Sequence, residues 1–247
     1  MERNDLLETY LRQLRLPSFA RNYQAFATDA ARSNLDYTRY LLALAEQEVS
    51  KRGQNRIQKR VKAARFPMLK ELADFDFSSL PELNKARVID LSRGEYIQKR
   101  EPIVFIGNPG LGKTHLAISL ALSACRQGHR VRFWTAAGLV NELLHAQDEH
   151  RLNRFVATAL KLALIVLDEL GFIPFSASGA HALFIFCSEV YERLALILTT
   201  NLKFADWIQA LGDERLTVAL FDRITHHAHI LELVGESFRF RERFRNG

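Results

Sequence analysis

The chain has 247 residues, of which 48% are hydrophobic and 25% charged, and its formal net charge is +6. That size and apolar content suffice for one large domain, or a core domain with a smaller appendage, and they exclude a chain that is disordered throughout. Two cysteines far apart, Cys125 and Cys187, exclude a disulfide scaffold. Neither has metal-ligand spacing around it, so both are expected as buried, reduced thiols of a cytoplasmic protein.

The first residues, Met1-Glu2-Arg3-Asn4-Asp5, carry no apolar leader segment. Leu7, Tyr10, Leu11 and Leu14 then recur at helical spacing, and Pro17 ends or redirects that helix. A second helical pattern runs through Tyr37, Tyr40, Leu41, Leu44 and Ala45. Residues 1–66 therefore read as a small helical domain that packs a core of its own.

Its last stretch, residues 49–66, holds Lys51, Arg52, Arg56, Lys59, Arg60, Lys62 and Arg65 and no acid. On a helix Arg52, Arg56 and Lys59 share one face, with Arg60 alongside. Like charges so close repel, and an anion opposite would relieve them. The stretch is either a solvated basic face or a contact to the phosphates of double-stranded DNA, with little preference for base sequence. Residues 67–100 form a connector, punctuated by Pro67 and Pro81 and carrying Phe75-Asp76-Phe77 as aromatic anchors.

From residue 101 to 247 apolar runs alternate with helical patterns. The runs are residues 103–106, 131–134, 162–167, 196–200 and 230–234. They are far short of the about 20 apolar residues a membrane-spanning helix needs, so no membrane partner is expected. Alternation of this kind predicts an α/β domain with a mainly parallel central sheet and crossover helices.

Gly107-Asn108-Pro109-Gly110-Leu111-Gly112-Lys113-Thr114 fits GxxxxGK[ST] at every fixed position, between an apolar strand and a helical pattern. Glycines let the backbone curl so that its N–H groups can face phosphate oxygens. Lys113 supplies a point charge to the β- and γ-phosphates of ATP, and the Thr114 hydroxyl a ligand to Mg²⁺. The helix that starts here adds its positive end.

The run at 162–167 ends in Asp168-Glu169. A strand ending there would set Asp168 beside the magnesium of the loop and let Glu169 polarise an attacking water. Residues 196–200 lead into Asn201, which either points at the γ-phosphate or its water, or caps a turn. Arg223 lies on an apolar helical stretch. It is either a partner for Asp222 or an arginine supplied to the nucleotide of a neighbouring subunit. The closing Arg239, Arg241, Arg243 and Arg245 are either a second DNA contact or a solvated end.

With these residues in view, the chain resembles the IstB-type transposition helper ATPases of bacterial insertion sequences, relatives of the helicase loader DnaC. The segments that carry the likeness are Lys62-Ala63-Ala64-Arg65-Phe66-Pro67, Asp74-Phe75-Asp76-Phe77, residues 107–115 through His115, Leu167-Asp168-Glu169-Leu170-Gly171, Thr199-Thr200-Asn201-Leu202, Asp222-Arg223-Ile224-Thr225-His226-His227 and Gly235-Glu236-Ser237-Phe238-Arg239. The stretches around Phe184-Ile185-Phe186 and Leu194-Ala195-Leu196 are more apolar than the family pattern.

The resemblance implies an AAA+ fold, ATP-dependent self-assembly on DNA and a transposase partner. It makes Asp168 and Glu169 the Walker B acids, Asn201 sensor 1, Arg223 the arginine finger and Arg239 a sensor 2 arginine. The primary reading is thus a homo-oligomeric ATPase that assembles on target DNA, with ATP sites between subunits. A DnaC-like helicase loader is the alternative. A small-molecule P-loop kinase comes third, because the chain shows no clear lid and such a kinase has no use for the basic N-terminal region.

Overall fold

The computed structural model describes residues 3–172 and 174–237. Contacts divide the chain into two compact units, the first ending at Lys59 and the second beginning at Arg60. The first unit is helical, with α1 (Arg3–Gln13), α2 (Pro17–Arg32) and most of α3 (Tyr37–Ala64). Pro17 is the first residue of α2, where its missing N–H costs nothing and its fixed φ suits the helix.

The apolar stripe expected to form a core here is only partly buried. Leu11, Ala30 and Leu44 are buried, whereas Leu7, Tyr10, Leu14, Tyr37 and Leu41 are exposed. Helical spacing was read correctly, but three helices alone cover only part of such a stripe. The buried polar anchor of the unit is Glu48, 4% exposed, which accepts from the Ser18 backbone N–H at 2.8 Å and from Arg52 Nε at 2.7 Å. Burial pushes its carboxyl up, but these donors outweigh burial and hold it below the usual glutamate value.

The second unit opens with the last turn of α3 and two short 3₁₀ turns, followed by α4 (Lys85–Leu91) and α5 (Glu95–Lys99). Then come β1 (Ile103–Gly107), α6 (Lys113–Arg126), β2 (Val131–Thr135), α7 (Ala136–Asp148), α8 (Leu152–Ala159), β3 (Leu164–Leu170), α9 (Ala177–Val190), β4 (Ala195–Thr200), α10 (Trp207–Leu211), α11 (Glu214–Thr225) and β5 (His229–Leu233). The strands form one sheet in the order β2-β3-β4-β1-β5, and every pairing is parallel. Because a parallel sheet is covered on both faces, its strands read as continuous apolar runs in which alternate residues serve opposite layers. Ile103, Phe105, Phe133, Val166 and Ile197 pack with Leu116, Leu120 and Cys125 of α6 and with the connector. Val104, Ile106, Trp134, Ile165 and Leu198 pack with Leu139, Leu143, Leu183 and Phe186 on the other face.

The third strand departs from the sequence reading in two details. The third strand starts at Leu164, leaving Leu162 and Ala163 outside, and it continues past Asp168 to Leu170. Its pairing with β4 also slips, from Leu167 opposite Leu198 to Leu170 opposite Thr200. Three steps along β3 thus match two along β4, which inserts one extra residue at Asp168-Glu169. Both cysteines are buried, and burial raises their thiols to about 11 for Cys125 and about 12 for Cys187. Among the described residues no helix is long and apolar enough to cross a membrane.

Candidate nucleotide-binding site

The loop at residues 108–112 leaves β1 and enters α6. Gly112 is the N-cap of α6 at φ +87, in the left-handed region that other residues adopt only under strain. A Cβ added there would lie 2.6 Å from the Phe75 ring, so no side chain fits without moving the connector. The Lys113 ammonium donates to the carbonyls of Gly107 at 2.7 Å and Asn108 at 2.8 Å, which folds it back over the loop. Positive charge and a helix N-terminus are thereby brought together at one anion-binding surface.

Thr114 begins the network that joins this loop to β3. Its hydroxyl lies 2.9 and 3.1 Å from the two carboxylate oxygens of Asp168. Asp168 is 4% exposed, and burial pushes its carboxyl above the ordinary aspartate value, against hydrogen bonds from Thr199 and Thr114 and the nearby Lys113 charge. Glu169 follows on the strand yet is exposed, and its φ of +61 places it in the left-handed region, at a cost of about 1–2 kcal/mol for a residue with a side chain. In a regular strand neighbouring side chains face opposite layers. The extra residue re-aims the pair, so that Asp168 meets Thr114 while Glu169 borders the cavity beside the loop.

That cavity has a volume of about 650 Å³, ample for a nucleotide. Gly110, Lys113, Thr114, His115, Glu169 and Asn201 all line it. The opposite wall is the connector, including Met68, Leu69, Asp74 and Phe75. Glu71 clamps this wall to α6: its carboxylate pairs with Arg126, and its carbonyl lies 2.8 Å from His115 Nε2. The His115 and Phe75 rings meet edge to face, with centroids 5.2 Å apart.

The oxygen donors present fit a hard cation. Thr114 and Asp168 offer a hydroxyl and one carboxylate, and among the described residues no cluster of three metal-ligating side chains exists. One carboxylate plus substrate phosphates is the donor set magnesium takes in such sites.

Arg223 lies elsewhere. It lines a second cavity with Pro102, Leu194 and Leu196, which precede or open β1 and β4. The phosphate loop and Asn201 follow those same strands. Five strand residues span roughly 16 Å, well beyond the reach of one arginine side chain. The Arg223 guanidinium donates to the Ala219 carbonyl at 3.1 Å and sits 5.0 Å above the Phe184 ring.

The basic candidates on α3 differ among themselves. Lys51, Arg56, Lys59 and Lys62 are exposed, while Arg60 is half-buried. Arg52 pairs with Glu48 and also donates to the Arg15 carbonyl. The stretch is therefore not free of acidic partners, since Glu48 lies directly before it and one turn before Arg52. Arg239, and the tail with Arg241, Arg243 and Arg245, lie outside the described residues.

Sequence reasoning gave no site role to Thr199, whose hydroxyl bonds to Asp168, nor to the cavity wall from Pro67 to Ser79, nor to Phe184 under Arg223. Each left a signal without a role: Thr199 in Thr199-Thr200-Asn201, the wall in the aromatic anchors Phe75-Asp76-Phe77, and Phe184 in an unusually apolar stretch.

A parallel sheet in this order, with the phosphate loop after β1 and the acidic pair on the strand two places away, is the fold of the AAA+ P-loop ATPases. Solved structures agree. DnaI (19% identity, TM-score 0.56, 72% of this chain and 94% of that one) and the AMPPCP-bound DnaA of Aquifex aeolicus (19%, 0.55, 71% and 55%) share it. So does the DnaC helicase loader (24%, 0.52, 60% and 87%).

Within that class the chain belongs to the family of IstB-like ATP binding proteins, whose family model matches residues 9–246. It is 35% identical to the protein named for ATP binding in insertion sequence IS5376 of Geobacillus stearothermophilus, over 96% of this chain and 94% of that one. The corresponding protein of insertion sequence IS21 of Pseudomonas aeruginosa is 34% identical, over 98% and 91%. The cavity beside the loop is accordingly the candidate ATP site.

Proposed function

We propose that this protein is an ATP-hydrolysing, DNA-binding transposition helper that assembles on target DNA and recruits or regulates a transposase. The observation that carries this reading is the placement of Arg223 near the amino ends of β1 and β4, at the opposite end of those strands from its own phosphate loop. An arginine so placed serves an ATP bound by a second copy, and a site completed that way couples nucleotide to assembly.

In the proposed site, Lys113 and the loop backbone hold the triphosphate, and Thr114 and Asp168 hold magnesium. The magnesium ion, when bound, supplies neutralising charge to the phosphates. Glu169 orients the attacking water, Asn201 contacts it or the γ-phosphate, and Arg223 of the neighbour offsets charge in the transition state. Hydrolysis removes the γ-phosphate that joins the copies and so loosens the interface. The exposed cations Lys51, Arg56, Lys59 and Lys62 contact the duplex through its phosphates. The names of the relatives place those proteins in insertion sequences, which favours a transposase over a replicative helicase as partner.

Mixing two inactive variants tests the shared site. Lys113→Ala and Arg223→Ala should each lose turnover, and an equimolar mixture with DNA should regain part of it, because some interfaces then combine an intact loop with an intact arginine. A mixture as inactive as its components, or an Arg223→Ala protein that assembles and hydrolyses normally, overturns the proposal.

A further inference from the structure

The slip between β3 and β4 leaves two residues, Asp168 and Glu169, opposite a single residue of β4, Thr199. Thr199 is 1% exposed. Its hydroxyl donates to Asp168 Oδ1 at 2.5 Å and accepts from the Glu169 backbone N–H at 2.9 Å. One hydroxyl thus spends its proton on the first acid and a lone pair on the second. Just beyond, the Thr200 hydroxyl donates to the Leu170 carbonyl at 2.8 Å, where regular pairing resumes.

This arrangement answers a problem set by the acids themselves. A strand cannot present two successive side chains to one site without an irregularity, and the irregularity here holds Glu169 at φ +61. A strained backbone persists only where its surroundings fix it. The Glu169 N–H has left the regular ladder at the slip, and Thr199 satisfies it. Asp168 is also held by Thr114, but that hydroxyl must turn its lone pair toward a cation when one binds. The bond from Thr199 carries no such conflict.

We infer that Thr199 is the positioning residue of the acidic pair, holding Asp168 for its cation with its proton and Glu169 for its water with its acceptor. This rests on the proposed hydrolytic role of Glu169. It adds that the spacing of the two acids relative to the loop is set from β4, by an almost fully buried side chain in the wall of the cavity.

The experiment compares wild type with Thr199→Val, which keeps the branched shape and removes both hydrogen bonds, Thr199→Ser, which keeps the hydroxyl, and Glu169→Gln. ATP turnover is measured with DNA, and the affinity for a fluorescent ATP analogue is measured with magnesium and with EDTA. The valine variant should lose about 10- to 100-fold in turnover and most of the gain in affinity that magnesium gives, as expected for a residue behind a cation ligand. Its affinity in EDTA should match wild type, and the serine variant should recover both properties.

If valine fails to fold, Thr199→Ala removes the same hydroxyl without placing a second methyl beside Asp168 and carries the same expectations. Wild-type turnover and an unchanged magnesium gain in the valine or alanine variant overturn the inference. So does a serine variant as impaired as valine. If wild type and Glu169→Gln both fail to hydrolyse ATP, the hydrolytic reading falls instead, and the magnesium gain still decides whether Thr199 holds Asp168.

Discussion

The two ends of the sheet hold their charged groups in opposite ways. At the carboxyl ends of the strands the loop and the acidic pair are bonded to one another: Lys113 to two loop carbonyls, Thr114 and Thr199 to Asp168, Thr199 again to the Glu169 backbone N–H. Their contacts close within this unit, and they are set before any ligand arrives. At the amino ends, Arg223 rests on an aromatic ring and on a carbonyl of its own helix, and it borders an open cavity with His226 and His227. The first end resembles a finished site and the second a part of one. Preorganisation matters most where charge develops, and an arginine that arrives with a second copy contributes only when that copy is present.

Four changes probe this contrast. The largest effect is expected of Arg223→Ala, a loss of about 1,000-fold or more in DNA-stimulated hydrolysis with ATP binding by the isolated protein unchanged. Turnover and analogue binding on the same preparation check it, and a parallel loss of binding would place Arg223 at its own loop. Next, Gly112→Ala at the finished end should weaken ATP binding by about tenfold or more, since it adds strain of about 1–2 kcal/mol at φ +87 and a Cβ against Phe75. Titration with the fluorescent analogue measures it.

Phe184→Leu should lower turnover by only about two- to fivefold, the worth of a partly exposed cation–π contact of about 0.5–1 kcal/mol. It should leave ATP affinity untouched, because it acts on the unfinished end.

The smallest effect concerns the clamp of the connector. Glu71 is held below the ordinary glutamate value, first by its hydrogen bond from Arg126 and then by that residue's charge, against burial. A lowered carboxyl stabilises the fold above the unfolded value near 4.5 and loses that contribution as pH falls through the folded value. Both side chains are about half exposed, so the effect is below about 1 kcal/mol. Acid unfolding monitored by circular dichroism should therefore be slightly less steep in Glu71→Gln, and an identical curve would remove the clamp from the account.

The helical first unit shows where local reading stopped. The spacing of Leu7, Tyr10, Leu11 and Leu14 gives a helix, because the 3.6-residue repeat is written in the chain. Which of these residues is buried depends on what packs opposite, and only Leu11 is buried. Arg52 illustrates the same limit at shorter range: residues 49–66 contain no acid, but Glu48, one turn earlier, takes up its charge.

Residues 107–114 were legible in full, because a phosphate loop is made by the backbone freedom of its glycines and by side chains adjacent in sequence. The strands and the mainly parallel sheet were legible too, since a parallel sheet needs continuous apolar runs separated by crossover helices. The acids Asp168 and Glu169 could be named as chemistry, and Arg223 as an arginine on an apolar helix. Their geometry could not be read this way. The slip at Asp168-Glu169 is a property of two strands paired through residues about 30 apart, and so is the double role of Thr199. The connector became a wall of the cavity only through Glu71, Phe75 and their partners on α6. The sequence by itself determined which groups form the candidate phosphate site, because neighbours in the chain are neighbours in space. Only the tertiary structure decided that two adjacent acids serve one site while Arg223 faces away from it, because strand register and the two ends of a sheet are set by contacts between distant segments.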